Sequence, residues 1–165
     1  MPVCEIRVKL EGSEETITLK DAEIIKKCPL LQRAIEIQNP DWKTTDTIVE
    51  EPVSIPFPKT AGDFFFNYVG KYEPSKDDVF DMKVEDYPEA DAKNLDELKD
   101  IIELANYVES NEFMDCVAFV IAKKLDKLSV EEIAKYMVQD FQPDPKAFEN
   151  DKDAWMYPPA EIFEK

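Results

Sequence analysis

The stretch that decides the fold is Glu103–Leu125, which reads ELANYVESNEFMDCVAFVIAKKL. Its apolar residues from Phe113 onward fall on more than one side of a helical wheel, whereas a surface helix usually carries a single apolar stripe. The continuous apolar run, CVAFVIA, is much shorter than the roughly 20 residues that cross a bilayer. The pattern therefore indicates either a central helix enclosed by its own domain or a helix that shares one side with another polypeptide.

The sequence that follows favours the shared helix. It is acidic and interrupted by prolines, yet it carries large aromatic residues, among them Phe141 and Trp155. Such a segment folds poorly alone and becomes ordered on a partner. Because Trp and Tyr anchor many interfaces, these aromatics are interpreted as partner contacts.

Charge excludes several classes of partner. The 165 residues include 20 Lys and Arg against 37 Asp and Glu, which gives a net charge of −17. Phosphate contacts require clustered basic residues, so neither nucleic acid nor an anionic membrane surface is expected. The N-terminal segment MPVCEIRVKLEG alternates instead of forming an apolar run, which predicts no secretory signal.

Residue types also argue against catalysis. The chain has no His, and its three Gly are too few and too scattered for a phosphate-binding loop. With so many acidic residues, pairs of carboxylates arise by chance, so no enzyme, cofactor or metal site is predicted. The three cysteines form no C-x-x-C pair, and free thiols indicate the reducing cytoplasm or nucleus.

The N-terminal half predicts a small sheet with helices. CEIRVKL and TITL alternate as two strands of a hairpin, and KDAEIIKKC and PLLQRAIEI form short helices. Residues 38–51 are predicted to be an exposed loop, followed by the extended piece PVSIPFP. A helix capped by Thr60 follows, and residues 71–93, with eight acids and four lysines, are predicted to be a flexible linker.

The C-terminal half predicts three helices. Asn94 and Glu97 form a capping pair at the start of the first, and the second covers about 112–126. Ser129 and Glu132 form a capping box that starts the third. Together the patterns indicate the mixed α+β class.

Several segments resemble one family. ANYVE, FMD and SVEEIAK stand where the S-phase kinase-associated protein family has a helix ending in A-N-Y-L-D, then L-L-D, then T-P-E-E-I-R. Asp140-Phe141 and Trp155 keep the family's spacing, and VSIPFP is similar to its V-P-L-P. The resemblance is specific over 104–137 and covers nearly the whole chain, which is similar to a divergent member of these SCF ubiquitin ligase adaptors.

The resemblance implies a fold and a domain organisation. It implies a BTB/POZ-like core over residues 1–128, a small sheet packed with helices, containing the acidic linker at about 71–93. Residues 129–165 would be a C-terminal helical extension that binds the F-box. The implied function is a non-catalytic adaptor that bridges a cullin to an F-box substrate receptor for ubiquitin-dependent degradation.

The resemblance also implies two binding surfaces. Asn106 and Tyr107 would contact the cullin, although Asn also ends helices and Tyr also covers core edges. The residues that would contact the F-box protein are Met114, Ala118, Ile121, Ile133, Met137, Phe141 and Trp155. For Ile121 and Ile133, burial in the chain's own core is the alternative.

One further function stays open. BTB-type domains self-associate, so a weak homodimer through the BTB face, or an assembly module without a ligase role, is the alternative to the adaptor.

Overall fold

The computed structural model of the protein describes residues 2–74 and 82–138, and for residues 137 and 138 it describes only the backbone. The described residues form a mixed α+β structure with seven α-helices and a three-stranded sheet. The chain divides into two compact units, Met1–Asp126 and Lys127–Lys165.

The strands are β1 (Cys4–Glu11), β2 (Thr16–Leu19) and β3 (Thr47–Pro58). The helices of the first unit are α1 (Ala22–Lys26), α2 (Pro29–Gln38), α3 (Lys59–Tyr68), α4 (Pro88–Asp91), α5 (Leu95–Tyr107) and α6 (Asn111–Leu125). In the second unit, the described residues contain one helix, α7 (Val130–Val138).

Strand β1 is the centre of the sheet. It pairs antiparallel with β2 and parallel with β3, in the order β2-β1-β3. Its alternate residues Cys4, Ile6, Val8 and Leu10 are all buried, as the period-two pattern predicts. A fully buried Ile or Leu contributes about 1.5–3 kcal/mol, so β1 supplies a large part of the core.

Strand β3 carries three prolines and lies at an edge. Pro52, Pro56 and Pro58 have no N–H to donate, and within sheets such residues are confined to edges and bulges. The register with β1 also shifts, because Ile6 pairs with Val49 and Val8 with Val53, so β3 has two extra residues between these pairs.

Helices α3, α5 and α6 complete the core. The predicted Asn94–Glu97 capping box at the start of α5 is present, with Glu97 N donating to Asn94 Oδ1 (2.8 Å) and Asn94 N to Glu97 Oε2 (3.0 Å).

Helix α3 approaches β1 closely at Gly62, where an added Cβ would lie 2.8 Å from Leu10 Cδ2. Any larger residue at this position would require the end of the Leu10 side chain to move.

Residues 38–51 are not the exposed loop that the sequence predicts. Strand β3 already begins at Thr47, and Trp42 is only 1% exposed, with its indole N–H directed at Glu36 Oε1 (3.5 Å). The loop therefore contributes its Trp to the core. Polar residues flanking Trp42 concealed this role in the sequence.

The described parts of 71–93 also differ from a flexible linker. Tyr72, Tyr87 and Ala90 are buried, and α4 follows a 3-10 turn at Val84–Asp86. Tyr72 Oη donates to Glu89 Oε2 (2.9 Å), and Tyr87 Oη donates to the Glu73 carbonyl (3.1 Å). Two tyrosines thus fix the described residues on either side, although the composition of the acidic segment predicts mobility.

Two smaller predictions have different outcomes. Helix α3 begins at Lys59 after Pro58, without a side-chain cap, so the prediction of a Thr60 cap was wrong. The cysteines Cys4, Cys28 and Cys116 are free, as predicted, and all three are buried. Burial raises the pKa of the Cys28 thiol to about 12, which keeps it protonated at neutral pH.

Candidate partner-binding surfaces

The inner side of α6 belongs to the core of the first unit. Its buried residues are Phe113, Cys116, Val117 and Val120, which recur at helical spacing. The ring of Phe113 lies at 4.9 Å from that of Phe65, in an edge-to-face arrangement. This side of the helix is the private core that the sequence allowed as one of two interpretations.

The outer side of α6 carries a second apolar row, which we call the outer stripe: Met114, Ala118 and Ile121. Residues four and three apart lie on one side of a helix. Ala118 is exposed, whereas Met114 and Ile121 are half-buried and pack against the core. The structure therefore brings three of the predicted F-box contacts together, with Ile121 shared between the core and the surface.

Contacts along the C-terminal half of α6 hold the helix in place. Near its C-terminal end, Lys124 Nζ donates to the Asp91 carbonyl (2.6 Å) and forms an ion pair with the Asp91 carboxylate (3.6 Å). On the flank of the helix, Phe119 lies 6.4 Å from Tyr87, ring centre to ring centre. The outer stripe is thus presented by a helix whose C-terminal half is fixed by polar and aromatic contacts.

The Schellman motif that ends α5 sets the direction in which the chain enters α6. Ser110 N donates to the Ala105 carbonyl (2.9 Å) and Glu109 N to the Asn106 carbonyl (3.1 Å). Glu109 has φ 65°, which is unusual for a residue other than Gly. Its carboxylate accepts from Arg33 Nη1 (2.6 Å), and this hydrogen bond lowers the pKa of Glu109.

Asn106 and Tyr107 both reach the surface at the end of α5. Asn106 is exposed, and Tyr107 is 40% exposed while its ring meets Phe57 edge-on at 5.7 Å. Tyr107 thus covers the core edge through Phe57 while part of its side chain remains accessible.

Tyr107 also borders a groove that the sequence analysis missed. The Tyr107 groove has a volume of about 710 Å³, and its lining includes Leu10, Gly12, Ile55 and Pro56. Gly12 adopts φ 74° in the turn between β1 and β2, a conformation that glycine takes without steric cost. The signal in the sequence was the alternation of VSIPFP, which places Ile55 and Phe57 beside the end of β1.

The predicted residues of the second unit are only partly described. The Ser129–Glu132 capping box is present, with Glu132 N donating to Ser129 Oγ (3.2 Å) and Ser129 N to Glu132 Oε2 (2.8 Å). Ile133 is half-buried within α7. Met137 lies in the same helix, and its side chain is outside the described part, as are Phe141 and Trp155 entirely.

The described residues offer neither a metal site nor a membrane-spanning helix. Residues 2–74 and 82–138 contain no group of three or more Cys, Asp or Glu side chains arranged to hold a metal ion. No helix within these ranges is both long and apolar enough to span a bilayer. The candidate surfaces are therefore the outer stripe, the end of α5 and the Tyr107 groove.

No model of a protein family matches the sequence, and no curated protein matches it.

Proposed function

We propose that the protein is the non-catalytic adaptor subunit of an SCF-type ubiquitin ligase, acting in the cytoplasm and nucleus. It would bridge a cullin to an F-box substrate receptor. The observation that carries the proposal is the partly exposed outer stripe of α6, on the helix directly after the one that presents Asn106 and Tyr107. The motif resemblance identifies the class of each partner.

The order of elements supports the BTB/POZ-like part of the proposal. A β-hairpin is followed by two helices, a strand parallel to β1 and then the helices that complete the core. This is the small sheet packed with helices that the resemblance implies. The F-box-binding extension would be residues 129–165.

The proposed mechanism depends on position. The inner side of α6 fixes the helix in the core, so the outer stripe and the end of α5 keep a constant geometry. A rigid adaptor of this kind would hold the substrate receptor at a set distance from the ubiquitin-carrying end of the cullin. Stable interfaces bury about 1,600 Å² in total, so the outer stripe would supply part of the receptor contact and residues 129–165 the rest.

Receptor binding is tested by calorimetric titration of the full chain with recombinant F-box segments. We expect Trp155→Ala to weaken binding by about 2 kcal/mol or more, as interface hot spots do. Met156→Ala, at the adjacent position, is the matched control and should change binding much less. Unchanged affinity in the Trp155 variant would count against the proposal.

Cullin binding is tested separately. Asn106→Lys combined with Tyr107→Lys should weaken binding to the cullin N-terminal region and leave F-box binding unchanged. Glu103→Lys is the control, since Glu103 is exposed on the same helix one turn earlier. Simultaneous loss of both partners in the double variant would contradict two separate surfaces.

A self-associating assembly module is the second candidate, favoured by one surface feature. Ile37 is 85% exposed near the end of α2, and Gln38 Nε2 donates to the carbonyl of the exposed Ile48 in β3 (2.9 Å). Two exposed isoleucines thus lie on neighbouring elements at the sheet edge. Light scattering at rising concentration separates the candidates, because a persistent dimer without F-box affinity would favour self-association.

A further inference from the structure

The Tyr107 groove offers an apolar surface that is accessible from solvent. Tyr107 is 40% exposed and Pro56 is also exposed, whereas Leu10 and Ile55 are buried and form the floor. The accessible apolar part of the groove is therefore the Tyr107 ring together with the Pro56 ring. One residue of the predicted cullin contact thus lines a groove that extends to the turn between β1 and β2.

Two carboxylates in the lining of this groove are free to pair with a partner. Glu11 and Glu14 are exposed, and neither forms an ion pair with any residue that the structure describes. The next acid, Glu15, is already paired with Lys59 (3.4 Å). Lys9, the one cation in the lining, likewise has no ion pair within the described ranges. The lining therefore has a net negative charge and complements a basic partner.

Hydrogen bonds within the turn hold these carboxylates beside the groove. Ser13 N donates to the Leu10 carbonyl (3.3 Å), and Glu15 N donates to Ser13 Oγ (3.2 Å). Glu11 and Glu14 flank Ser13 on either side, so their backbone positions are set by this turn. The acidic part of the groove is thus attached to an ordered turn of the sheet.

The combination of surfaces selects one kind of side chain. Arg and Lys lay their aliphatic stems along apolar surface while the charged end reaches a polar partner, and their cations are attracted to the faces of aromatic rings. A stem over Tyr107 and Pro56 with its charged end at Glu11 or Glu14 would use both parts of the groove. A small cation would leave the apolar part unused, and an acidic side chain would meet two like charges.

We infer that the Tyr107 groove receives a basic side chain, Arg or Lys, from the cullin. The inference rests on the proposed adaptor function and extends the cullin surface from Asn106 and Tyr107 to the turn between β1 and β2. It assigns Glu11 and Glu14 as residues that determine specificity for the cullin, since an uncharged or acidic side chain at the same place would leave these carboxylates without a partner.

The location of the contact is tested by titrating the isotope-labelled full chain with the recombinant cullin N-terminal region. We expect saturable changes in the amide NMR signals of Gly12 and Ser13, in addition to those of Asn106 and Tyr107. Carbodiimide coupling of the same complex distinguishes the two basic side chains, because only Lys can form an amide bond with Glu11 or Glu14. A cross-link there would identify Lys, and its absence from a complex that meets the other expectations would identify Arg.

Substitutions in opposite directions test the charges. Glu11→Gln combined with Glu14→Gln should weaken cullin binding about three- to tenfold at low salt, as expected for exposed ion pairs, whereas Lys9→Gln should tighten it about twofold. Glu50→Gln combined with Glu51→Gln is the matched control, since it removes the same charge from exposed positions of β3 outside the lining. The difference between the two double variants should disappear at about 0.5 M salt, where exposed charges are screened.

Three outcomes would overturn the inference and leave the adaptor function intact, provided that the cullin still binds the wild type. They are unchanged NMR signals at Gly12 and Ser13, unchanged affinity in the Glu11 and Glu14 double variant, and an equal loss in the Glu50 and Glu51 control. Failure of the wild-type chain to bind any cullin would instead reject the adaptor function and this inference together. A thermal melt of each variant checks that it is folded before the titration.

Discussion

Phe113 and Ala118 lie five residues apart on α6, yet the Phe113 ring is buried among other aromatic rings and Ala118 is exposed. Both residues belong to apolar rows on α6. The residue types in the two rows are too similar to show which row is buried. The inner side is surrounded by the chain's own core, whereas the outer stripe has open surface in the first unit. Similar residues on one helix are therefore expected to act on different equilibria, folding for one side and binding for the other.

The largest effect is expected on the inner side. Phe113→Ala removes a ring that meets Phe65 at 4.9 Å and stacks on Tyr72 at 5.6 Å. We expect a loss of about 3–5 kcal/mol in the free energy of unfolding, as for other buried Phe→Ala changes, measured by urea denaturation. A loss below about 1 kcal/mol is within the range of surface substitutions and small repacking. Such a loss would contradict the assignment of the inner side to the core.

The outer stripe should give the opposite pattern. Ala118→Arg places a long charged side chain on an exposed position, so the free energy of unfolding should change by no more than about 0.5 kcal/mol. If the adaptor proposal holds, F-box affinity should fall by about 2 kcal/mol or more. Ala92→Arg, at an exposed alanine outside α6, is the matched control. A strongly destabilised Ala118 variant would mean that the outer stripe is core.

Substitutions in the turn between α5 and α6 should change the free energy of unfolding by a smaller amount. Because the turn leads into the whole of α6, this change concerns the inner side and the outer stripe alike. Glu109→Gly and Glu109→Ala both remove the ion pair with Arg33, and they differ in their tolerance of positive φ. We expect the Gly variant to exceed the Ala variant in unfolding free energy by about 1 kcal/mol. Equal thermal and urea stabilities of the two variants would contradict this role for the turn.

The smallest effect concerns the polar contacts that hold Tyr72 beside Phe113. A backbone N–H and the Tyr72 hydroxyl lower the pKa of Glu89 below its ordinary value of 4.5. The stabilisation by its carboxylate is therefore present above the pKa of the unfolded chain and is lost as pH falls through the lower folded pKa.

Glu89→Gln should accordingly flatten the decline of stability below about pH 4.5, measured by urea denaturation at a series of pH values. Glu85→Gln is the control, since Glu85 is an exposed acid in the same segment. An identical acid decline in the wild type and in Glu89→Gln would show that this contact does not stabilise the inner side.

The sequence predicted the elements whose signals are local. The capping pairs at Asn94 and Ser129 and the spacing within α6 depend on residues within one or two turns, and the structure contains them. Trp42 and Tyr87 were missed, because their burial depends on residues distant in the chain. The Tyr87 hydroxyl, for example, donates to the Glu73 carbonyl, fourteen residues earlier.

The candidate surfaces could likewise be predicted only as far as their signals are local in the sequence. The sequence indicated that α6 has two apolar sides, but which side is enclosed depends on Phe65 and Tyr72 packing against Phe113. The motif resemblance singled out Ala118, and only the structure describes it as exposed. The Tyr107 groove required the pairing of β1 with β3, which joins Ile55 to Leu10 across more than forty residues.

The same parallel pairing has a consequence for synthesis on the ribosome. The hairpin of β1 and β2 is synthesised before β3, but two strands alone are marginal in water, and the sheet is complete only when β3 has been made. The side chains of Ile6, Val8 and Leu10, which are buried in the complete fold, stay uncovered in the nascent chain until later elements pack on them. Translation that pauses before Thr47 would therefore leave an apolar fragment for chaperones to hold, and the final steps of folding await the later helices.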